Sequence, residues 1–290
     1  MPGRLEIVSA HDRYERSACA YAAVQEMLRQ GRRVAWIVSS RDIALAAKRH
    51  LADASKGLAG VEITTIDTWA AGRWTLYGDG CKPVSSLQRR ILVKKVLDEG
   101  VWTSAALASA GMVESVAGIV RAGAGLEAFE GDAEQIAEVT ELTATQRELM
   151  GACQTYFALL QECGLIEPGA VMRELARTMP EAGWQHLVLD GCWSLEGSAV
   201  ELAGAACEHA GVTLVGCLGN NAAFEPEREI AARIADAARE RRVEVVRAAG
   251  EALVEQGDDL LKPHAPARSP ELIDLANALF STEQTEPVAA

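Results

Sequence analysis

Residues 33–66 read RVAWIVSSRDIALAAKRHLADASKGLAGVEITTI. The first seven, Arg33–Ser39, form a short apolar run with β-branched and aromatic side chains. Such a run predicts a strand buried on both faces. Asp42–Ala54 carries helical periodicity, and Val61–Ile66 is β-branched and Thr-rich, a further strand. Strand, helix and strand at this spacing form a βαβ unit, whose strands run parallel.

Working outward, the same alternation continues on both sides. Leu5–Ser9 predicts a first strand, followed by a helix from about Tyr14 to Gln30 that Gly31 ends. Further on the pattern changes. From Pro83 to Pro180 no strand is predicted. Leu87, Ile91, Leu92, Val96 and Leu97 fall on one side of a helix. Ala105–Val120, Ala133–Val139, Thr145–Cys163 and Glu167–Thr178 are helical in composition, with Pro168 placed for a first turn. Strand character returns at His186–Asp190 and is followed by helix Leu195–Ala210, strand Val212–Leu218, helix Pro226–Arg241 and strand Val243–Val246. A looser stretch, a short helix at Glu271–Phe280 and a polar tail complete the chain.

The expected fold is therefore α/β, a parallel sheet flanked by helices with an all-helical subdomain inserted between two sheet-forming blocks. The expected divisions are 1–82 for the first block, 83–182 for the insertion and 183–250 for the second block. Residues 251–290 are read as linker, short helix and mobile tail. A ligand would be held by loops at the C-terminal ends of the strands.

Charge restricts the function classes. The net charge is −13 and the pI about 4.9, so a phosphate backbone is repelled on average and autonomous nucleic-acid binding is disfavoured. The distribution is uneven. Residues 127–148 are strongly acidic, whereas bases gather at Arg32/Arg33, at Arg89/Arg90/Lys94/Lys95 and at Arg239/Arg241/Arg242. Together they leave room for a local basic face, and Arg89, Arg90, Lys94 and Lys95 read either as phosphate contacts or as a solvated helix face. The acidic stretch reads as a solvated surface or a dock for a basic partner. Seven cysteines without a C-x-x-C pair suggest buried thiols in a reducing compartment, and the five histidines show no ligand spacing, so no metal is expected. No secretory leader precedes the first strand and no apolar run approaches the ~20 residues of a membrane helix, so a cytoplasmic location without membrane contact is expected.

A phosphate-binding loop after the first strand needs G-x-x-x-x-G-K-[ST], because glycines let backbone N–H groups reach the phosphates and lysine neutralises them. Here the stretch is Ile7-Val8-Ser9-Ala10-His11-Asp12-Arg13-Tyr14-Glu15-Arg16-Ser17, with neither glycine nor lysine. Asp12 and Glu15 would repel an anion.

Four stretches carry a family resemblance. The strand and helix at 34–51 resemble the second strand of superfamily-one helicases. VEITTIDTWAAGRW (61–74) resembles their T-F-H-S-L-A segment. HLVLDGCWSLEGSAVEL (186–202) resembles the Walker B strand, and LIDLANALF (272–280) the Leu-rich close of the first helicase domain. Together they are similar to the N-terminal, RecA-like domain found in the AddB/RexB-type chains of bacterial ATP-dependent helicase/nucleases, which are related to RecC. That resemblance implies a P-loop NTPase-like fold with a degenerate ATP site.

The departures bear on activity. Gly191 follows Asp190 where active relatives place the water-activating Glu, Cys217 replaces a later acid, and Asn220 replaces a Gln. The resemblance thus implies an inactive scaffold in DNA double-strand-break repair and recombination, guiding single-stranded or forked DNA beside an AddA-type motor/nuclease partner. ATP and Mg²⁺ would belong to that partner, and none is expected here. Ser9, His11, Arg13, Arg16, Ser17 and Asp190 would line the vestigial nucleotide pocket. Ser39, Thr65, Thr68, Trp69 and Arg73 are the DNA-contact candidates, although Thr65 and Thr68 also read as strand and cap residues and Trp69, like Trp74, as helix-to-sheet packing. No nuclease motif is present, so the chain is expected to be the N-terminal part of a longer protein or a short paralogue. Two rivals are a live ATPase with an atypical phosphate loop and an α/β protein-interaction module without a nucleic-acid role.

Overall fold

A computed structural model describes residues 3–55, 59–104, 107, 109, 111–123, 143–178, 185–191, 195–219 and 222–250. The predicted helices at 133–139 and 271–280, most of the acidic stretch, Cys192 and Asn220 lie outside these residues. The described chain divides into two compact units, Met1–Ile66, Glu181–Leu195 and Ala203–Ala290 in the first, and Asp67–Pro180 with Glu196–Leu202 in the second.

The first unit contains strands β1 (Arg4–Ala10), β2 (Val34–Val38), β3 (Val61–Thr64), β6 (His186–Asp190), β7 (Gly211–Cys217) and β8 (Glu244–Ala249). They form one sheet in the order β3-β2-β6-β7-β1-β8, and every pairing is parallel. The two sequence blocks interleave, since β6 and β7 lie between β2 and β1. All residues of β2, β6 and β7 are buried, so both faces of the central sheet are covered, the condition that parallel sheets require. On one face the cover is α1 (Arg13–Arg29) and α2 (Arg41–Ser55). Their Ala20, Val24, Ala47 and Leu51 join Val8, Trp36, Val188 and Val215 in a single apolar cluster. Gly31, with φ 71°, ends α1 by taking the left-handed conformation that other residues avoid. Helix α9 (Glu225–Glu240) packs against β7, β8 and β1 through a buried stripe that includes Ile230, Ile234 and Ala238. β8 runs on to Ala249, three residues past the predicted end, because parallel pairing with β1 holds it through Ser9↔Ala249.

Among the described residues the second unit is helical apart from one short pairing, and α3 (Ile66–Tyr77) spans the division at Asp67. α4 (Ser86–Glu99), α5 (Met112–Gly123), α6 (Ala144–Glu162) and α7 (Pro168–Thr178) follow in chain order. α8 (Gly197–His209) begins in this unit's residues. Capping boxes start two of these helices. Ser85 and Gln88 exchange side-chain and backbone bonds before α4, as Thr143 and Gln146 do before α6. Contrary to the prediction of no strand between 83 and 180, Lys82–Pro83 pairs in parallel with Leu165–Ile166 (β4 and β5). The run at Val61–Ile66 stops being a strand at Thr64 and becomes α3 at Ile66, and α5 begins at Met112, later than the predicted Ala105.

Helix α4 departs from its apolar pattern. Leu87 and Ile91 are 65% and 58% exposed, while Arg89 is buried at 8%. The cause is Glu167, 1% exposed at the start of α7. Its carboxylate takes a fork of hydrogen bonds from Arg89, Nε–Oε1 2.8 Å and NH2–Oε2 2.6 Å, and a third from the Tyr156 hydroxyl on α6. Satisfying a buried charge outweighs burying two further aliphatic side chains. The basic group 89–95 is therefore largely consumed. Arg89 pairs with Glu167, Arg90 with Glu114 and Lys94 with Asp98, which favours the solvated-face reading over phosphate contact.

Candidate functional site

The C-terminal edge of the first unit's sheet brings together the end of β1, the turn into α1, the end of β6 and the end of β7. Ala10 pairs with Cys217 across β1 and β7, and Asp190 pairs with Val215 across β6 and β7. Three charged side chains meet there. Arg16, in the first turns of α1, donates from Nε to Asp190 Oδ1 at 3.0 Å and from NH1 to Glu227 Oε1 at 3.4 Å. Arg16 is 5% and Asp190 4% exposed, and the Glu227 side chain 11%. Glu227 stands in the first turn of α9 and also accepts the Cys217 backbone N–H at 2.5 Å, tying α9 to the end of β7. Gly216 makes room for it, since a Cβ there would lie 3.2 Å from Glu227 Oε2.

The start of α1 is closed by its own residues. Asp12 is the N-cap, and its Oδ1 accepts from the Tyr14 and Glu15 N–H groups at 2.7 and 2.9 Å. Glu15 reaches back to accept the His11 N–H at 2.6 Å. Helix N-terminal N–H groups are the natural seat of a phosphate. Here a carboxylate of the same chain already holds them.

Burial pushes the Asp190 carboxyl up to about 6, against the opposing pull of Arg16. At the other end of β6, burial lowers His186 to about 4 with help from Arg32, while its Nε2 pairs with the Thr213 hydroxyl at 2.9 Å. The two groups act oppositely on stability. Asp190, raised above its ordinary 3.8, contributes stability that is present below about pH 4 and lost as pH rises through 6. His186, lowered from 6.5, contributes stability that is present above 6.5 and lost as pH falls through 4. Each is worth roughly 3 kcal/mol, so between these limits they largely cancel. Asp190→Asn leaves the His186 dependence uncompensated. The variant is expected to lose roughly 3 kcal/mol more than the native chain between pH 6.5 and 4. Urea midpoints at the two pH values check this, and parallel profiles for the two proteins would contradict it.

The structure gathers the sequence-derived pocket residues only in part. Arg16 and Asp190 are in direct contact. Ser9 is on β1 and half-buried, His11 and Arg13 are exposed at the turn, and the Ser17 hydroxyl is turned back onto the Arg13 carbonyl of its own helix at 3.1 Å. The reading of Asp12 and Glu15 as anion-repelling residues missed their role as a built-in cap, although a D-x-x-E spacing before a helix signals it. Glu227 was missed altogether. Its only sequence signal is an acidic first turn next to Pro226.

The DNA-contact candidates are divided between the units. Ser39 follows β2 and Thr65 follows β3, both half-buried, in the first unit. Thr68, Trp69 and Arg73 lie on α3 in the second. Trp69 is 1% exposed and Trp74 5%, so of the two readings open for them, stacking and packing, the burial favours packing. A base needs an open ring face, and Trp69 is enclosed, with the Arg73 guanidinium 5.8 Å from its centroid. Trp74 Nε1 donates to the Cys81 carbonyl at 2.9 Å.

Of the six described cysteines Cys19, Cys153, Cys207 and Cys217 are buried, and burial pushes Cys19, Cys207 and Cys217 up to about 12 and Cys153 to about 11. These thiols are packing groups and not nucleophiles at neutral pH. Among the described residues no group of three His, Cys, Asp or Glu side chains is placed to hold a metal, and no helix is long and apolar enough to cross a membrane. No protein-family model and no curated protein matches the sequence.

Proposed function

We propose that this chain is a RecA-like, helicase-derived domain with an inserted helical subdomain, whose nucleotide site has been replaced by its own side chains. It acts as a DNA-guiding and assembly scaffold in an AddB-type helicase/nuclease. The support for the fold is the parallel sheet that interleaves two sequence blocks. The observation that carries the function is the double occupation of the site. Asp12 takes the helix N–H groups and Arg16 takes Asp190. In the resembling active enzymes the phosphates and Mg²⁺ use those two positions. A triphosphate would have to displace a carboxylate from one and break a buried ion pair at the other, with no lysine to offset its charge.

Calorimetric titration of the full chain with Mg²⁺ and a non-hydrolysable ATP analogue is expected to show no saturable binding in the micromolar range. Micromolar affinity would instead establish the live-ATPase rival. The net charge of −13 and the internal pairing of Arg89, Arg90 and Lys94 favour a second reading, an α/β protein-interaction module. Binding of a forked oligonucleotide separates the two. The scaffold reading expects binding that weakens linearly in log[salt] as phosphate contacts are released. Affinity independent of salt, or no binding in the presence of the motor subunit, supports the interaction module.

A further inference from the structure

Of the six described cysteines, four are buried, Cys81 is half-buried and Cys163 is exposed. The two thiols that reach the surface are far apart in the chain but come together in the second unit, at the pairing of β4 with β5. These strands run parallel with Lys82 opposite Leu165, and the Lys82 N–H donates to the Gly164 carbonyl at 3.0 Å. Cys81 therefore stands level with Gly164, and Cys163 is the residue before it. A strand spacing of about 4.8 Å and one Cα step of about 3.8 Å put the two cysteine Cα atoms roughly 6 Å apart. A disulfide spans about 4.4–6.8 Å between Cα atoms.

The backbone on both sides is held in place. Cys81 donates its N–H to Asp79 Oδ1 at 2.8 Å, and its carbonyl accepts from Nε1 of the buried Trp74 at 2.9 Å. Cys163 is the C-cap of α6, its N–H held by the Leu159 and Leu160 carbonyls at 3.1 Å each. Gly164, with φ 63°, then turns the chain from that helix into β5. Desolvation and the Asp79 carboxylate push the Cys81 thiol up, so its thiolate is scarce at neutral pH.

We propose that Cys81 and Cys163 form a reversible disulfide that clips the start of β4 to the end of α6. The oxidant is a small disulfide of the glutathione type. The more exposed Cys163 gives its proton to solvent, and its thiolate attacks one sulfur of that disulfide and expels one small thiol. Cys81, deprotonated in turn, attacks Cys163 Sγ and expels the second. Two protein thiols are thereby oxidised, and one small disulfide is reduced to two thiols. The bond encloses α4, α5 and most of α6 in one loop. Closing a long loop restricts the unfolded chain strongly, so the oxidised unit is held against unfolding. The clip is remote from the Asp12–Arg16 region in the sequence and does not depend on the helicase-like reading.

The test incubates the full chain with oxidised glutathione, beside Cys81→Ser and Cys163→Ser, which replace thiols outside the core and leave the fold intact. The native chain is expected to lose two hydrogens in intact mass. Tryptic mapping is expected to join peptide 74–89 to peptide 148–173 through Cys163, and dithiothreitol to separate them. Each variant is expected to carry a glutathione adduct on the remaining partner instead. In signals from the second unit, the oxidised native chain is expected to unfold at a higher urea concentration, a shift that reduction removes and neither variant shows. Stable glutathione adducts at both positions of the native chain, a link that survives in either variant, or a midpoint unmoved by the closed bond would each overturn the assignment.

Discussion

Glu167→Ala is expected to lower the stability of the second unit by about 3–5 kcal/mol, the cost of leaving a buried charge without its partner. Arg89 would then be enclosed at 8% exposure with no counter-ion, and the Tyr156 hydroxyl, 0% exposed as a residue, would lose its acceptor. Burial and Glu167 together push the Tyr156 phenol well above its ordinary value, so it remains a donor throughout the accessible pH range. Burial alone would lower Arg89, but its bonds to Glu167 raise it, and the charge is retained. Glu167→Gln distinguishes charge from shape. It preserves the outline of the side chain and is expected to destabilise nearly as much, because the guanidinium is still unpaired. Replacing both partners by methionine is expected to recover most of the loss, since apolar substitutes of similar volume often match a buried pair. Urea unfolding, followed by signals assigned to each unit separately, measures these differences without assuming one transition. A Glu167→Gln variant within about 1 kcal/mol of the native chain would show that the pair is dispensable.

The second large effect is expected at Arg16. Arg16→Ala leaves Asp190 and Glu227 facing each other in a buried site, and should cost about 3–5 kcal/mol at pH 7. The loss should shrink towards pH 5. Asp190 already stands near 6, and removing the cation drives it higher, so protonation relieves the repulsion over that range. Adding Asp190→Asn to Arg16→Ala is expected to restore part of the stability, a coupling that a double-mutant cycle reads directly. Arg16→Lys should fall between, because one ammonium replaces a fork that reaches two carboxylates. None of these variants is expected to gain nucleotide affinity, because Asp12 still occupies the helix N–H groups. An Arg16→Ala protein as stable as the native chain at pH 7 would mean that the triad contributes little.

These two sites differ in how far they could be read in advance. Asp190 was visible as the acid ending an apolar strand, and Arg16 as a base in the turn after the first strand. Their meeting was not, because 174 residues separate them. Arg89 and Glu167 were more deceptive. Arg89 stands in a run of bases that looks solvated, and only its depth in the packed unit distinguishes it from Arg90 beside it. Trp69 shows the same limit. A tryptophan near a strand end suits either stacking or packing, and its 1% exposure decides for packing.

Local order was settled by the residues themselves. Apolar runs of strand length, β-branched content and helical periodicity are properties of neighbours, and they placed six parallel strands and most helices within a few residues. Tertiary structure alone decided which charges are buried together, how the two sequence blocks interleave, and that Arg16 is shared by Asp190 and Glu227. Those outcomes depend on burial and on contacts between residues far apart in the chain. A side chain's charge is written in the sequence, but its partner and its distance from water are not.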